Sequence, residues 1–244
     1  MEQAKKIGIV AAMEREVWPL VKHWTVTDQE FNGIQFKFFE NDRAVLVCGG
    51  IGVEAARRAS EALIQLYHPT VVESVGFAGA LDPALKVGTV LGVKRVIDAK
   101  DGSRKDAPIG YWTLLTVSQI SGVAEKAKLA AAYGAHAVDM EAAAVGHAAE
   151  ASGLPFRALK VISDGYDFAM PCLQEFVDAK GNFRRTEFLV FAALRPWLWA
   201  RVFRLAKNSA KARTALCGWL EQYNHPAAKI ENHATGFDPR VVLR

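Results

Sequence analysis

The stretch 137–167, AVDMEAAAVGHAAEASGLPFRALKVISDGYD, constrains the fold more than any other part of the chain. It reads as the end of a strand, an alanine-rich helix, a Gly153-Leu154-Pro155 turn and a second apolar strand over 156–162. The strand runs out at Ser163-Asp164. Asp139 and Glu141 stand where the helix begins and Asp164 where the strand ends, so the acids sit at element ends, where α/β proteins bind ligands.

The rest of the chain keeps the same rhythm. Residues 7–13 form a short buried strand, and 14–23 continue as a helix with Val17, Leu20 and Val21 on one side. Runs 33–40 and 43–48 read as a hairpin turned at Asn41-Asp42. Glycines at 49–52 then open a helix reaching Tyr67. The apolar run 71–75 meets Gly76-Phe77-Ala78-Gly79, read as a second glycine-bearing strand exit. A strand over 86–97, a polar loop over 101–110, a weak strand over 111–118 and an Ala- and Lys-rich helix over 122–133 follow. Strands alternating with helices predict an α/β sheet. At 244 residues and 51% hydrophobic, the chain has enough apolar side chains for one sizeable core.

Three cysteines, Cys48, Cys172 and Cys217, are odd in number and far apart, which argues against a disulfide framework or zinc site and for a reducing, cytoplasmic setting. The apolar run 7–13 stops at Glu14, too soon for a signal peptide, and no uninterrupted span reaches membrane-helix length.

Three places have residue types suited to chemistry. Glu16 follows the first strand directly; it is either functional or simply placed at the positive end of a helix. Gly50, Gly52 and Ala55 satisfy G-x-G-x-x-A with Glu73 about twenty residues on, which matches the fingerprint of a nicotinamide or flavin dinucleotide site. Against that, the motif is not on the first strand and Glu73 falls inside an apolar run, so a tight turn needing small residues explains it as well. Glu141 lies among alanines with no Lys or Arg three or four residues away. Such a carboxylate is costly unless a ligand or backbone satisfies it, or unless it points to solvent or meets a base from elsewhere.

Ala12-Met13-Glu14-x-Glu16, Gly50-Ile51-Gly52, Gly76-x-Ala78-Gly79, Val138-Asp139-Met140-Glu141-Ala142 and Ile162-Ser163-Asp164 occur in the order seen in the purine nucleoside phosphorylase and methylthioadenosine/adenosylhomocysteine nucleosidase superfamily. The resemblance covers about residues 6–167. It implies a three-layer α/β/α sandwich around a mixed, partly barrel-like sheet, and cleavage of the N-glycosidic bond of an adenine nucleoside. By resemblance Asp164 protonates the purine at N7 and Glu16 orients the attacking water. Glu141 suits the ribose, since an ionised carboxylate has only acceptors and takes both cis hydroxyls. Met140, Asp139, Phe77, Ala78, Gly79, Ala12 and Gly50 are the expected substrate contacts. No metal or cofactor is implied, and a homo-oligomer is expected.

Departures from the family pattern matter too. Ala11-Ala12-Met13-Glu14-Arg15 does not reproduce the Gly-Asp-Pro-x-Arg phosphate loop of bacterial phosphorylases, which favours hydrolysis. Arg15, Arg57 or Arg58 beside the 49–52 amides keeps inorganic phosphate open as a co-substrate. Phe77 replaces a small serine, so the 5′ pocket is reshaped. Only 47 residues separate Val90 from Val138, so the insert that stacks on adenine is truncated. Tyr111, Trp112 or Phe77 is left as the stacking face.

The chain divides into a catalytic region 1–182, a basic, aromatic helical C-terminal extension 183–222 and a polar tail 223–244. Two helices are expected over 183–194 and 197–205, split at Pro196. The formal net charge is only +4, yet between Phe183 and Arg213 eight Lys or Arg face one acid, Glu187. With Trp197, Trp199 and Phe203 this suits a helix lying in a membrane interface; packing on the domain or on a second subunit is the alternative. No nucleic-acid module accompanies the charge. The tail and short insert resemble the hopanoid-associated phosphorylase-like subgroup, which implies removal of adenine from adenosylhopane. A dinucleotide-dependent enzyme and a non-catalytic nucleoside- or membrane-binding protein remain as the other readings.

Overall fold

The computed structural model describes residues 6–107, 110–119, 122–168, 171–178 and 181–223. Strand β1 (Ile7–Ala11) leads into α1 (Glu14–Val21), and β2 (Thr25–Phe31), β3 (Ile34–Glu40) and β4 (Ala44–Cys48) follow. Helix α2 (Val53–Tyr67) precedes β5 (Val71–Ala80), then β6 (Val90–Asp98), β7 (Arg104–Asp106) and β8 (Trp112–Thr116). Helix α3 (Val123–Tyr133), β9 (Ala137–Asp139), α4 (Ala142–Ala151) and β10 (Phe156–Asp164) complete the sheet. A 3-10 turn at Pro171–Phe176, α5 (Arg185–Ala193), a second turn at Pro196–Leu198 and α6 (Trp199–Tyr223) end the described chain.

The strands form one mixed sheet in the order β10-β6-β8-β9-β5-β1-β4-β3-β2, and β10 also pairs with β5. That extra pairing closes β5, β10, β6, β8 and β9 into a five-stranded ring, from which β1 to β4 extend as an open wing. Along β1 and β4 the side chains alternate between two cores. Val10, Val45 and Val47 face α2 and α4, whereas Ile9, Ala11 and Leu46 face α1 and α6. Strands covered on both faces read as unbroken apolar runs, which is why they stand out in the sequence. The expected three layers around a partly barrel-like sheet are therefore present.

Several local readings change. Strand β2 carries mostly exposed, polar residues and gives no alternation signal; it pairs antiparallel with β3 around Asn32-Gly33, both at positive φ (51° and 76°). The glycines at 76 and 79 lie inside β5 instead of ending it, and β7 crosses the expected 101–110 loop. Helix α4 starts at Ala142 with Glu141 as its N-cap, so Glu141 is not on the helix itself. Helix α6 runs unbroken for 25 residues. Its second half is core, with Ala212, Leu216, Cys217 and Leu220 buried beside Ile9, Val17 and Leu46. Residues 224–244 of the expected polar tail lie outside the described residues. No described helix is long and apolar enough to cross a membrane.

Candidate active site

Strand β1, buried on both faces, carries the start of α1 under β5. This puts Glu16 inside the protein, 2% exposed, and not on the surface of a helix end. Its carboxylate accepts from the Phe77 backbone N–H, while Oε2 has no hydrogen-bond partner among the described residues. Gly76 makes room for it. Its φ is +151°, and a Cβ there would sit 2.7 Å from Glu16 Oε2. Burial pushes the Glu16 pKa up to about 8; Glu141 adds to the rise, and Lys160, Arg15 and the Phe77 amide oppose it.

Glu141 is satisfied by backbone, as its lack of a helical partner requires. Oε1 accepts from Gly52 N–H at 2.9 Å and Oε2 from Met140 N–H at 3.3 Å. Burial, then the neighbouring Asp139, holds its pKa above the ordinary carboxylate range, against Lys160 and the two amides.

Lys160, in the middle of β10 and 1% exposed, has no counterpart among the expected site residues. Its ammonium meets Asp139 at 2.9 Å. Burial works to lower its pKa, but Asp139, Glu141 and Glu16 outweigh that and hold it above the usual lysine value. Asp139 also accepts from Thr116 Oγ1 at 2.6 Å and from Ala142 N–H at 2.9 Å. Its side chain is 0% exposed and anchors Lys160 and the start of α4. A lone lysine inside the apolar run 156–162 was the available signal for Lys160.

At the far end of β10 the register shifts between Ile162 and Asp164, which pair with Ala78 and Gly79. A bulge of this kind re-aims the following side chain. Asp164 accepts from Ser163 Oγ at 2.8 Å and is ion-paired with Lys126 of α3. Lys126 is buried, and it also donates to the carbonyls of Gly165 (2.9 Å) and Phe168 (3.1 Å). Gly79 permits this approach, since a Cβ there would lie 2.9 Å from Asp164 Oδ2. Sequence reasoning placed Lys126 on an ordinary Lys-rich helix and gave no hint of its partner.

The glycine turn does not offer free amides. Gly49 and Gly50 N–H bond to the carbonyls of Ala11 and Ala12 (3.0 and 2.9 Å), Ile51 N–H to Gly181 O (2.7 Å) and Gly52 N–H to Glu141. Neither a dinucleotide pyrophosphate nor a phosphate finds unengaged donors in that turn. Glu73, which the fingerprint requires at a strand end, is buried mid-strand and paired with Arg157 at 3.3 Å. Arg57 is held by Glu54 and Glu61 at 2.9 and 2.6 Å, Arg58 bonds to Glu54 O at 3.2 Å, and Arg15 lies over the Phe183 ring at 5.3 Å.

Glu16 and Asp164 thus press against β5 at Gly76 and Gly79, three residues or about 10 Å apart along a strand. Ala78 and Phe77 lie between, Ala78 buried and Phe77 half-buried. Ala12, Gly50 and Met140 are half-buried; Gly50 N–H bonds Ala12 O, and Met140 N–H bonds Glu141. Of the proposed stacking rings, Trp112 packs edge-on against His136 at 5.2 Å, within the protein. A cavity of 270 Å³ adjoins the Asp164 end, lined in part by Gly165, Tyr166 and Phe168. Another of 200 Å³ adjoins the Glu141 end, lined in part by Gly52, Met140 and Ser118.

The family model described as the phosphorylase superfamily matches residues 6–112 and 111–192. A 5′-methylthioadenosine/S-adenosylhomocysteine nucleosidase of Staphylococcus carnosus is 38% identical over 90 residues, covering 35% of this chain and 39% of that protein. The same-named protein of Actinobacillus succinogenes is 29% identical over 199 residues, covering 66% of this chain and 86% of its own length. The chain thus matches less than half the length of the first of these relatives. Among solved structures, the Helicobacter pylori nucleosidase of that name superposes with a TM-score of 0.64 at 17% identity, covering 91% of this chain and all of that one (100%). The Colwellia psychrerythraea nucleosidase in complex with adenine gives 0.61 at 23% identity, covering 89% and 96%. Futalosine hydrolase of Helicobacter pylori gives 0.58 at 19%, covering 66% and 88%, so these likenesses speak for the fold.

Proposed function

Because the chain belongs to the phosphorylase superfamily, we propose that it hydrolyses the N-glycosidic bond of an adenine nucleoside and releases adenine. The observation that carries this reading is the buried carboxylate of Glu16, with one unpartnered oxygen, beside Glu141 and leaning on the same strand, β5, as Asp164. Breaking a purine–ribose bond builds positive charge on the sugar and negative charge on the base, and these acids suit both ends. Glu141 takes the ribose cis hydroxyls, its oxygens aimed by the Gly52 and Met140 amides. As the C1′–N9 bond breaks, its electron pair moves to the purine. A proton passes to N7 from the carboxylic acid form of Asp164, and the carboxylate left behind is met by the Lys126 ammonium. Water adds to C1′ and gives its proton to Glu16, whose raised pKa suits a base working near neutrality.

Hydrolysis is favoured over phosphorolysis because the 49–52 amides, Arg57 and Arg58 are already engaged. For the 5′ group, Phe77 beside Glu16 and the short insert favour a bulky apolar substituent, such as the lipid of adenosylhopane, over a small thioether. Adenine release from methylthioadenosine, adenosylhomocysteine and an adenosyl lipid, each with and without phosphate, tests the proposal. Phosphate-independent release is expected. Release that requires phosphate removes hydrolysis, and no release from any of the three removes the glycosidase reading.

A further inference from the structure

Helix α6 is held in the core by its second half and exposes large apolar side chains along its first. Ala212, Leu216 and Leu220 repeat at the i, i+4 spacing of a core-facing stripe and are fully buried. Nearer its start, Val202 and Leu205 turn onto the cluster of Phe168, Phe176 and Phe188. The opposite side there is not purely polar. Phe203 is 70% exposed, and the adjoining turn and α5 add Trp197 at 73% and Leu194 at 71%, with Trp199, Leu189 and Val190 also exposed. Scattered apolar residues on a surface need no explanation, but so many large ones on one helical hairpin do.

The same hairpin carries cations. Arg184, Arg185, Arg201, Arg204 and Lys207 are exposed, and the Arg195 guanidinium lies over the Phe191 ring at 3.8 Å. Glu187, the one acid between 183 and 213, is already paired with Arg184 at 2.7 Å. Outward tryptophans and phenylalanine amid uncompensated positive charge match a surface that is apolar just below an anionic layer.

We propose that the α5–α6 hairpin is a docking surface for a lipid bilayer bearing anionic headgroups. No described helix is long and apolar enough to cross the bilayer, so the hairpin lies in its interface. A second copy of the chain fits less well. A two-fold contact would set this patch against itself, cation against cation, with a single acid on each side. The proposal does not depend on the glycosidase reading. Arg204 and Asn208 line the 270 Å³ cavity together with Gly165 and Phe168, so the docked face borders the loop that follows Asp164.

Co-sedimentation of the full chain with vesicles of phosphatidylcholine mixed with phosphatidylglycerol, and of phosphatidylcholine alone, tests this directly. Binding is expected to the mixed vesicles, and to weaken several-fold on neutral ones or in high salt. Replacing Trp197 and Phe203 together with serine should lower it about ten-fold. Arg201→Gln and Lys207→Gln should each lower it about five-fold. All four side chains are exposed, so unchanged thermal melts will show that folding is intact. The proposal fails if the native chain ignores mixed vesicles at low salt, or binds them equally after both sets of changes. It also fails if the Trp197/Phe203 variant instead breaks an oligomer seen by sedimentation equilibrium while no vesicle binding occurs.

Discussion

Lys126 and Asp164, 38 positions apart in the chain, form one ion pair, and the same ammonium holds the carbonyls of Gly165 and Phe168. The loop after β10 is therefore tied to α3 by the same group that pairs with Asp164. Asp164→Asn should lower adenine release by at least ~100-fold. Lys126→Met should lower kcat more than it raises KM and should move the pH profile; Lys126→Arg should restore part of both. A purely structural lysine would change stability and leave the profile alone, which steady-state kinetics across pH will distinguish.

In the proposed mechanism Glu16 works only when ionised, and its pKa stands at about 8. For the free enzyme, kcat/KM should therefore rise with pH and level off above that value. Glu16→Gln should remove both the limb and turnover.

The same shift fixes a stability trend. The folded state holds the Glu16 proton more tightly than the unfolded chain does. Its contribution is full below the ordinary carboxylate pKa and is lost as pH rises to about 8. Urea denaturation should show stability falling over that window by on the order of 3–5 kcal/mol, and Glu16→Gln should flatten the fall.

Gly76→Ala should cost about 2 kcal/mol or more, since the new methyl meets Glu16 Oε2 at 2.7 Å and the backbone is held at φ +151°. Activity should drop with it, because the carboxylate must move. Gly102→Ala, also at positive φ but with nothing within 4 Å, isolates the backbone part of the cost.

Lys160→Met strips Asp139 of its cation in a place with no solvent, and should destabilise by roughly 3–5 kcal/mol. Adding Asp139→Asn should recover part of that, and the two changes should be clearly non-additive in chemical denaturation.

The order of strands and helices was legible because β1, β4, β5 and β10 are covered on both faces and so stand out as apolar runs. Glu16, Glu141 and Asp164 were legible as acids at element ends. The two lysines were not, for different reasons. Lys160 interrupts an apolar strand, a detectable oddity whose partners lie on β9, α1 and the α4 cap. Lys126 looks like any solvent lysine on a helix, and only the tertiary fold turns it inward. The dinucleotide spacing carries little weight because a turn satisfying G-x-G-x-x-A can bind its own chain instead of a phosphate, as this one does. Strand β2 escaped notice because both its faces are largely wet and it has no period to read.

Strand β5 is paired with β1, β9 and β10 at once. Glu16 leans on it through Gly76 and the Phe77 amide, Asp164 through Gly79, and Val138, one residue before Asp139, pairs with Gly79. With Glu16, Asp164 and the strand leading to Asp139 referenced to this single beam, the proposed acid and base keep their alignment only while β5 stays paired. Thermal inactivation should therefore coincide with global unfolding instead of preceding it, as it does in enzymes whose catalytic groups ride on separate mobile loops.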